Sequence, residues 1–186
     1  MASRGYVNLT TAGSHEIGQL NTPWAKHMVN GAIAIEDIDN YLLVEIARDF
    51  TETDDNELQC KVLSDNTKKG YLATTIEEED LLQEGGFSEN YADFYNAIGD
   101  MVRITDVDVQ KNIRFETSAF TLNDGLTEAK KGYVAHFDPT TKKYIVSDPD
   151  SAHSDYSNAY NKFEVVDIDT DFGYAFDVTT IRLMSI

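Results

Sequence analysis

From Val102 onward the chain alternates apolar and polar residues in short runs. Val102 and Ile104 alternate with Arg103 and Thr105, Ile113, Phe115 and Thr117 with Arg114 and Glu116, and Tyr133, Ala135 and Phe137 with Val134 and His136. Successive side chains of a strand point to opposite faces, so this two-residue period dictates β-structure. Runs this short need several partners, because an isolated hairpin is marginal in water. Turns fall where the period breaks. Asp138-Pro139-Thr140-Thr141-Lys142-Lys143 leads into a strand at 144–147, and residues 148–161 form a polar loop rich in Asp, Ser and Asn. Segments 163–168 and 174–186 close the chain as strands around an acidic turn.

The first half carries fewer clear periods. Segments 32–38 and 40–48 flank an Asp39-Asn40 turn signal and read as a hairpin, with Leu42, Val44 and Ile46 on one face. Residues 49–57 hold five acids in nine positions and can only be a solvated loop, after which 58–63 reads as a strand. One passage has helical character. Thr75 with Glu78 forms a capping-box pattern, and Tyr91, Phe94, Tyr95 and Ile98 recur at 3.6-residue spacing before Gly99. The expected fold is mainly β, a sandwich or partly open barrel, with a short helical insertion near 75–99. Residues 1–30 read as an extended arm of turn formers around Trp24, and 31–186 as the β-rich domain. Lys68-Lys69-Gly70-Tyr71-Leu72-Ala73 echoes Lys130-Lys131-Gly132-Tyr133-Val134-Ala135. The echo reads either as two related β units, 31–125 and 126–186, or as a generic turn used twice.

Charge excludes whole classes of partner. The 186 residues hold 15 Lys and Arg against 33 Asp and Glu, a net charge of −18. Such a surface repels nucleic-acid phosphates and anionic lipid alike. One cysteine forms neither an internal disulfide nor a thiolate zinc cage. No apolar run is long enough to span a bilayer, and the first nine residues lack a signal-peptide stretch. The expectation is a soluble protein made in a reducing cytoplasm.

The chemistry-bearing residues mostly have plain structural readings. Asp167, Asp169 and Asp171 have calcium-loop spacing, but Phe172 stands where the turn glycine belongs and Val178 where the closing Glu belongs. Asp148, Asp150 and Asp155 make a looser cluster. Charge runs on an acidic chain are ordinarily solvated, so no metal is expected at either. Among His15, His27, His136 and His153 there is no helical metal-binding motif, and His136 reads as a half-exposed strand residue. Cys60 sits in a strand-like run and reads as a buried, inert thiol. No nucleophile elbow, phosphate loop or dinucleotide fingerprint occurs, so an enzyme and a bound cofactor are not expected. Ten Tyr and nine Phe supply either core packing or wet contact surface, the latter with Tyr156 and Tyr160 as a glycan-stacking pair.

Several phrases resemble the auxiliary head proteins of tailed bacteriophages. They are Asn8-Leu9-Thr10-Thr11 in the arm, Lys69-Gly70-Tyr71-Leu72-Ala73-Thr74-Thr75-Ile76-Glu77-Glu78, Asp93-Phe94-Tyr95-Asn96-Ala97-Ile98-Gly99-Asp100, and Phe115-Glu116-Thr117-Ser118-Ala119-Phe120. The resemblance implies capsid decoration: a β-rich homo-oligomer, often a trimer, bound to the major capsid protein on the outer surface of the virion. Large arm residues, Tyr6, Leu9, Leu20 and Trp24, are then the expected partner contacts. The rival expectation is a tail- or fibre-associated module that recognises a cell-surface glycan.

Overall fold

The computed structural model describes residues 18–20, 31–48, 50, 57–75, 95–108, 113–170 and 179–186. The alternating segments pair into two sheets. Strand β1 (Gly18–Leu20) joins the second of them. The first contains β2 (Ala32–Ala34), β3 (Leu43–Ala47), β4 (Gln59–Val62), β5 (Tyr71–Ala73), β6 (Met101–Val102) and β7 (Ile104–Thr105), in the order β6-β2-β4-β3-β5-β7. The second adds β8 (Arg114–Thr117), β9 (Phe120–Leu122), β10 (Val134–Asp138), β11 (Lys143–Ser147), β12 (Lys162–Asp169) and β13 (Thr180–Ser185), in the order β1-β8-β13-β12-β10-β11-β9. The fold is mainly β, as the two-residue period requires.

Both sheets curl. Strands β6 and β7 occupy opposite edges of the first sheet, yet Arg103 alone separates them. The Arg103 carbonyl accepts from the Thr74 amide at 2.8 Å, and its own amide donates to Thr75 Oγ1 at 3.1 Å. In the second sheet β8 and β9 lie toward opposite edges, with Ser118 and Ala119 between them. A sheet whose two sides are consecutive pieces of one chain must bend back on itself, and this shields edges that would otherwise stay open.

A pairing pattern recurs. In the first sheet β2 runs parallel to β4, β4 pairs antiparallel with β3, β3 with β5, and β5 with β7. In the second, β9 runs parallel to β11, β11 pairs antiparallel with β10, β10 with β12, and β12 with β13. The chain thus builds the same five-strand arrangement twice. The Lys-Lys-Gly echo does not mark it. Tyr71 opens β5, fourth in the pairing order of one pattern, whereas Val134 opens β10, third in that of the other. The two turns differ as well, since Gly132 has a positive φ of 84° and Gly70 does not.

Two sequence expectations fail here. Segments 32–38 and 40–48 do not form a hairpin, because β4 inserts between β2 and β3. Asp39 and Asn40 do sit at a turn, but Tyr41 takes the left-handed φ of 63°, and the Asn40 side chain bonds to Thr75 and Asn96 instead of closing a hairpin. The helical insertion lies largely outside the described residues. Where the chain is described again at 95–99 it is not helical: Asn96 bridges to Ile38, and Ile98 is exposed. At 95–99 backbone pairing to residue 38 stands in place of the helix expected there, while Tyr91 and Phe94 lie outside the described residues.

One core joins the two sheets. Phe115, Phe137, Tyr144 and Phe163 are fully buried and meet at centroid distances of 5.4–5.5 Å, mostly edge to face. Burying each ring contributes about 1.5–3 kcal/mol. Tyr41, from the first sheet's turn, stacks on Phe115 at 6.4 Å. The Tyr144 hydroxyl donates to the Tyr41 carbonyl at 2.8 Å, so the core carries a polar pin between the halves. A second tie is the Gly70 amide donating to Asn161 Oδ1 at 2.7 Å, at a glycine where a Cβ would press on Leu43 and Leu63.

Candidate functional site

The site lies on β10, which is flanked by β12 and β11. Ala135 and Phe137 belong to the core, and the strand period turns His136 to the other face. That face was expected to be half open. Instead His136 is wholly buried, because residues 148–161 fold back over it.

Local chemistry builds the cover. It contains two short 3-10 turns, Pro149–Ser151 and Ser154–Ser157. Asp148 caps the first, its Oδ1 accepting from the Asp150 amide at 2.9 Å. His153 caps the second, its Nδ1 accepting from the Asp155 amide at 3.3 Å. The His153 amide donates to Ser147 Oγ at 3.2 Å and fastens the cover to the end of β11. The His153 ring then stacks on His136, with centroids 5.3 Å apart and planes 29° apart. Tyr156 closes the side with its ring edge-on to His136 at 6.1 Å. Lys162 lies 5.3 Å from the Tyr156 ring and donates to the Ser157 carbonyl at 3.0 Å.

Burial pushes the His136 pKa below its ordinary value, and the neighbouring His153 adds to the effect, while Asp155 and Asp138 oppose it. The shift favours the neutral imidazole, the form that presents a lone pair. Neither of its ring nitrogens has a hydrogen-bond partner among the described residues. Asp138 is already committed, accepting from the Thr140 and Thr141 amides at 3.0 and 3.2 Å and from Thr141 Oγ1 at 2.7 Å. One ligating atom each from His136, His153 and Asp155 falls within 4.8 Å of the others. Among the described residues this is the one such group of His, Cys, Asp or Glu. Sequence reading missed it because the three residues match no spaced motif and converge only through the fold-back of the loop.

The other candidates disperse. Tyr156 packs on His136, whereas the Tyr160 hydroxyl donates to Asp108 Oδ2 at 3.0 Å, beside the Lys69 ammonium that holds Asp106 and Asp108. Asp167 is held by Lys131 Nζ at 2.6 Å and Arg182 Nη1 at 3.2 Å, and the Lys131 contact leads in drawing its pKa down. Lys131 and Arg182 thus hold Asp167, while Asp171 lies outside the described residues. Cys60 is buried, its thiol donating to the Ala32 carbonyl at 3.7 Å, and burial followed by Glu36 pushes its pKa up to about 12. Tyr6, Leu9 and Trp24 lie outside the described residues. The Leu20 backbone sits in β1, opposite Phe115 of β8.

Fold and site together define an acidic, mainly β protein made of two curled sheets, one of which carries a loop-covered histidine pair. The chain belongs to the YonC prophage protein family, whose model matches residues 11–186. It is 41% identical over 184 residues to the SPbeta prophage-derived uncharacterized protein YonC of Bacillus subtilis (strain 168), covering 98% of this chain and 97% of that protein. No solved structure matches it. The chain is thus of prophage-derived type.

Proposed function

We propose that the protein is a non-enzymatic structural component of a phage particle, an auxiliary head protein that sits on the outer capsid surface and stabilises contacts between capsomers. The observation that carries this reading is membership, over almost the whole chain, in a prophage family. Three features support it. The net charge of −18 suits a surface that faces solvent rather than packaged DNA. The two curled sheets share one core, and a packed, preorganised domain favours docking because little freedom is lost on binding. Ile98 and Met101, three residues apart, expose 63% and 51% of their surfaces, and Met101 lies beside Gly31, to which residues 1–30 lead in sequence. That corner and the N-terminal segment, with Tyr6, Leu9, Leu20 and Trp24, form the surface for the major capsid protein, and a trimeric assembly fits the same reading.

The test is reconstitution. Heads purified from a deletion strain are mixed with the protein and sedimented. Saturable co-sedimentation that raises the heat resistance of the heads, and weakens in an Ile98→Asp/Met101→Asp double variant, is expected. Full-length protein that stays in the supernatant at all concentrations would contradict the reading. A glycan-binding role in a tail or fibre draws no support from Tyr156 and Tyr160, whose side chains are engaged with different neighbours.

A further inference from the structure

We infer that His136, His153 and Asp155 form a binding site for a divalent transition-metal ion of the zinc type, with a coordination position left open to water. Two observations meet here. The first is an imidazole buried on an interior strand with neither ring nitrogen hydrogen-bonded among the described residues. Leaving a buried polar group unpaired costs about 1–3 kcal/mol, so a native structure that keeps one there calls for a partner. The second is convergence: a second imidazole and a carboxylate place ligating atoms within 4.8 Å of the first.

The donor set selects the metal. Two imidazoles and one carboxylate suit zinc and its neighbours, whereas calcium and magnesium take oxygen cages. The geometry is close to a site. Imidazoles sharing a tetrahedral zinc have ring centroids about 5 Å apart, and those of His136 and His153 are 5.3 Å apart. Ligand atoms around such an ion are separated by about 3.3 Å. The candidate atoms here lie within 4.8 Å of one another; His153 Nδ1 accepts from the Asp155 amide, so Nε2 is the nitrogen left to it for an ion, and Asp155 is exposed, its Oδ1 accepting from Ser154 Oγ at 3.3 Å. The surroundings allow it: Asp138 is held by Thr140 and Thr141, and Tyr156 shields one side. An ion here would clamp the 3-10 cover onto β10, joining two segments that otherwise meet through ring stacking and the His153–Ser147 hydrogen bond.

The inference stands apart from the virion role, and its test needs only the full-length protein without a polyhistidine tag. Protein stripped with a chelator is titrated with ZnCl2 by calorimetry and with CoCl2 by visible absorption. Expected are one saturable zinc equivalent per chain, a cobalt spectrum of low-symmetry nitrogen and oxygen coordination, and a rise in Tm with zinc. Losing a residue that merely orients a ligand weakens metal sites about 10–100-fold, so His153→Ala and Asp155→Asn, which remove ligands themselves, should each lose at least about tenfold in affinity. Both lie on the cover rather than in the core, which keeps folding separable from binding. Asp150→Asn, an acid of the same loop outside the group, should bind as the parent does. Absence of saturable zinc binding, or binding that survives His153→Ala undiminished, would overturn the assignment and leave only scattered surface carboxylates. So would stoichiometric binding of calcium in preference to zinc.

Discussion

Replacing Tyr144 by Phe tests the pin that couples the two halves. The substitution keeps the ring that packs on Phe115, Phe137 and Phe163 and removes only the hydroxyl that donates to the Tyr41 carbonyl at 2.8 Å. The net worth of such a bond is about 0.5–1.5 kcal/mol, and a desolvated carbonyl left behind raises the loss toward 1–3 kcal/mol. Urea unfolding at pH 8 should show that loss as a lower midpoint with an unchanged slope. Tyr160→Phe is the control, because its hydroxyl bonds to Asp108 at the surface, and it should change stability by less than about 0.5 kcal/mol. Alkaline pH adds a second signature. Burial raises the Tyr144 pKa well above 10, so above pH 10 the unfolded chain sheds a proton that the folded chain keeps. That group's contribution is full below pH 10 and falls by up to about 1.4 kcal/mol per unit as pH rises further. The other tyrosines titrate equally in both proteins, so the gap between parent and Tyr144→Phe should shrink from pH 10 to 11. A gap below about 0.3 kcal/mol at pH 8, or one that widens with pH, would mean that the Tyr144 hydroxyl does not pin the two halves together.

Three further outcomes follow from single contacts. Arg182 spans Glu116 and Asp167 at 3.2–3.3 Å, and Glu116 has a side chain only 1% exposed. Arg182→Ala should therefore cost about 2–3 kcal/mol by urea unfolding, below the value for fully buried pairs because the arginine is partly solvated. Gly31 has a φ of 62°, and a Cβ there would lie 2.4 Å from the Val102 carbonyl oxygen, so Gly31→Ala should lower Tm more than Gly125→Ala, whose Cβ would meet open space. Cys60, with its thiol pKa near 12, should resist iodoacetamide at pH 8 in the folded protein and react once urea is added, as read by intact mass.

The sequence was legible where one face of a segment meets the core. In β12 and β13, Phe163, Val165, Ile181 and Leu183 alternate with half-buried residues, and their period announces the strands directly. It was misleading where both faces are covered. Ala135, His136 and Phe137 are all buried, so alternation at β10 predicted an open side that a distant loop in fact occupies. Pairing partners were also hidden. Nothing local to 32–48 reveals that β4 separates β2 from β3, since the parallel β2–β4 ladder joins residues some 26 positions apart, Ile33 with Gln59 and Ala34 with Cys60. The recurrence of the five-strand pattern left no readable repeat either, because pairing order depends on which faces are apolar and not on particular phrases. The histidine pair escaped for the same reason: His136 and His153 meet through chain reversal, and no spacing rule anticipates it.

The virion role is tested most directly by counting. Particles released from a lysogen that encodes this chain can be freed of soluble protein on a density gradient and quantified by isotope-standard mass spectrometry against their major capsid protein. The account predicts a fixed, high copy number that scales with the capsid lattice and survives removal of the tails. Particles that form and infect normally while carrying no trace of the chain would contradict it.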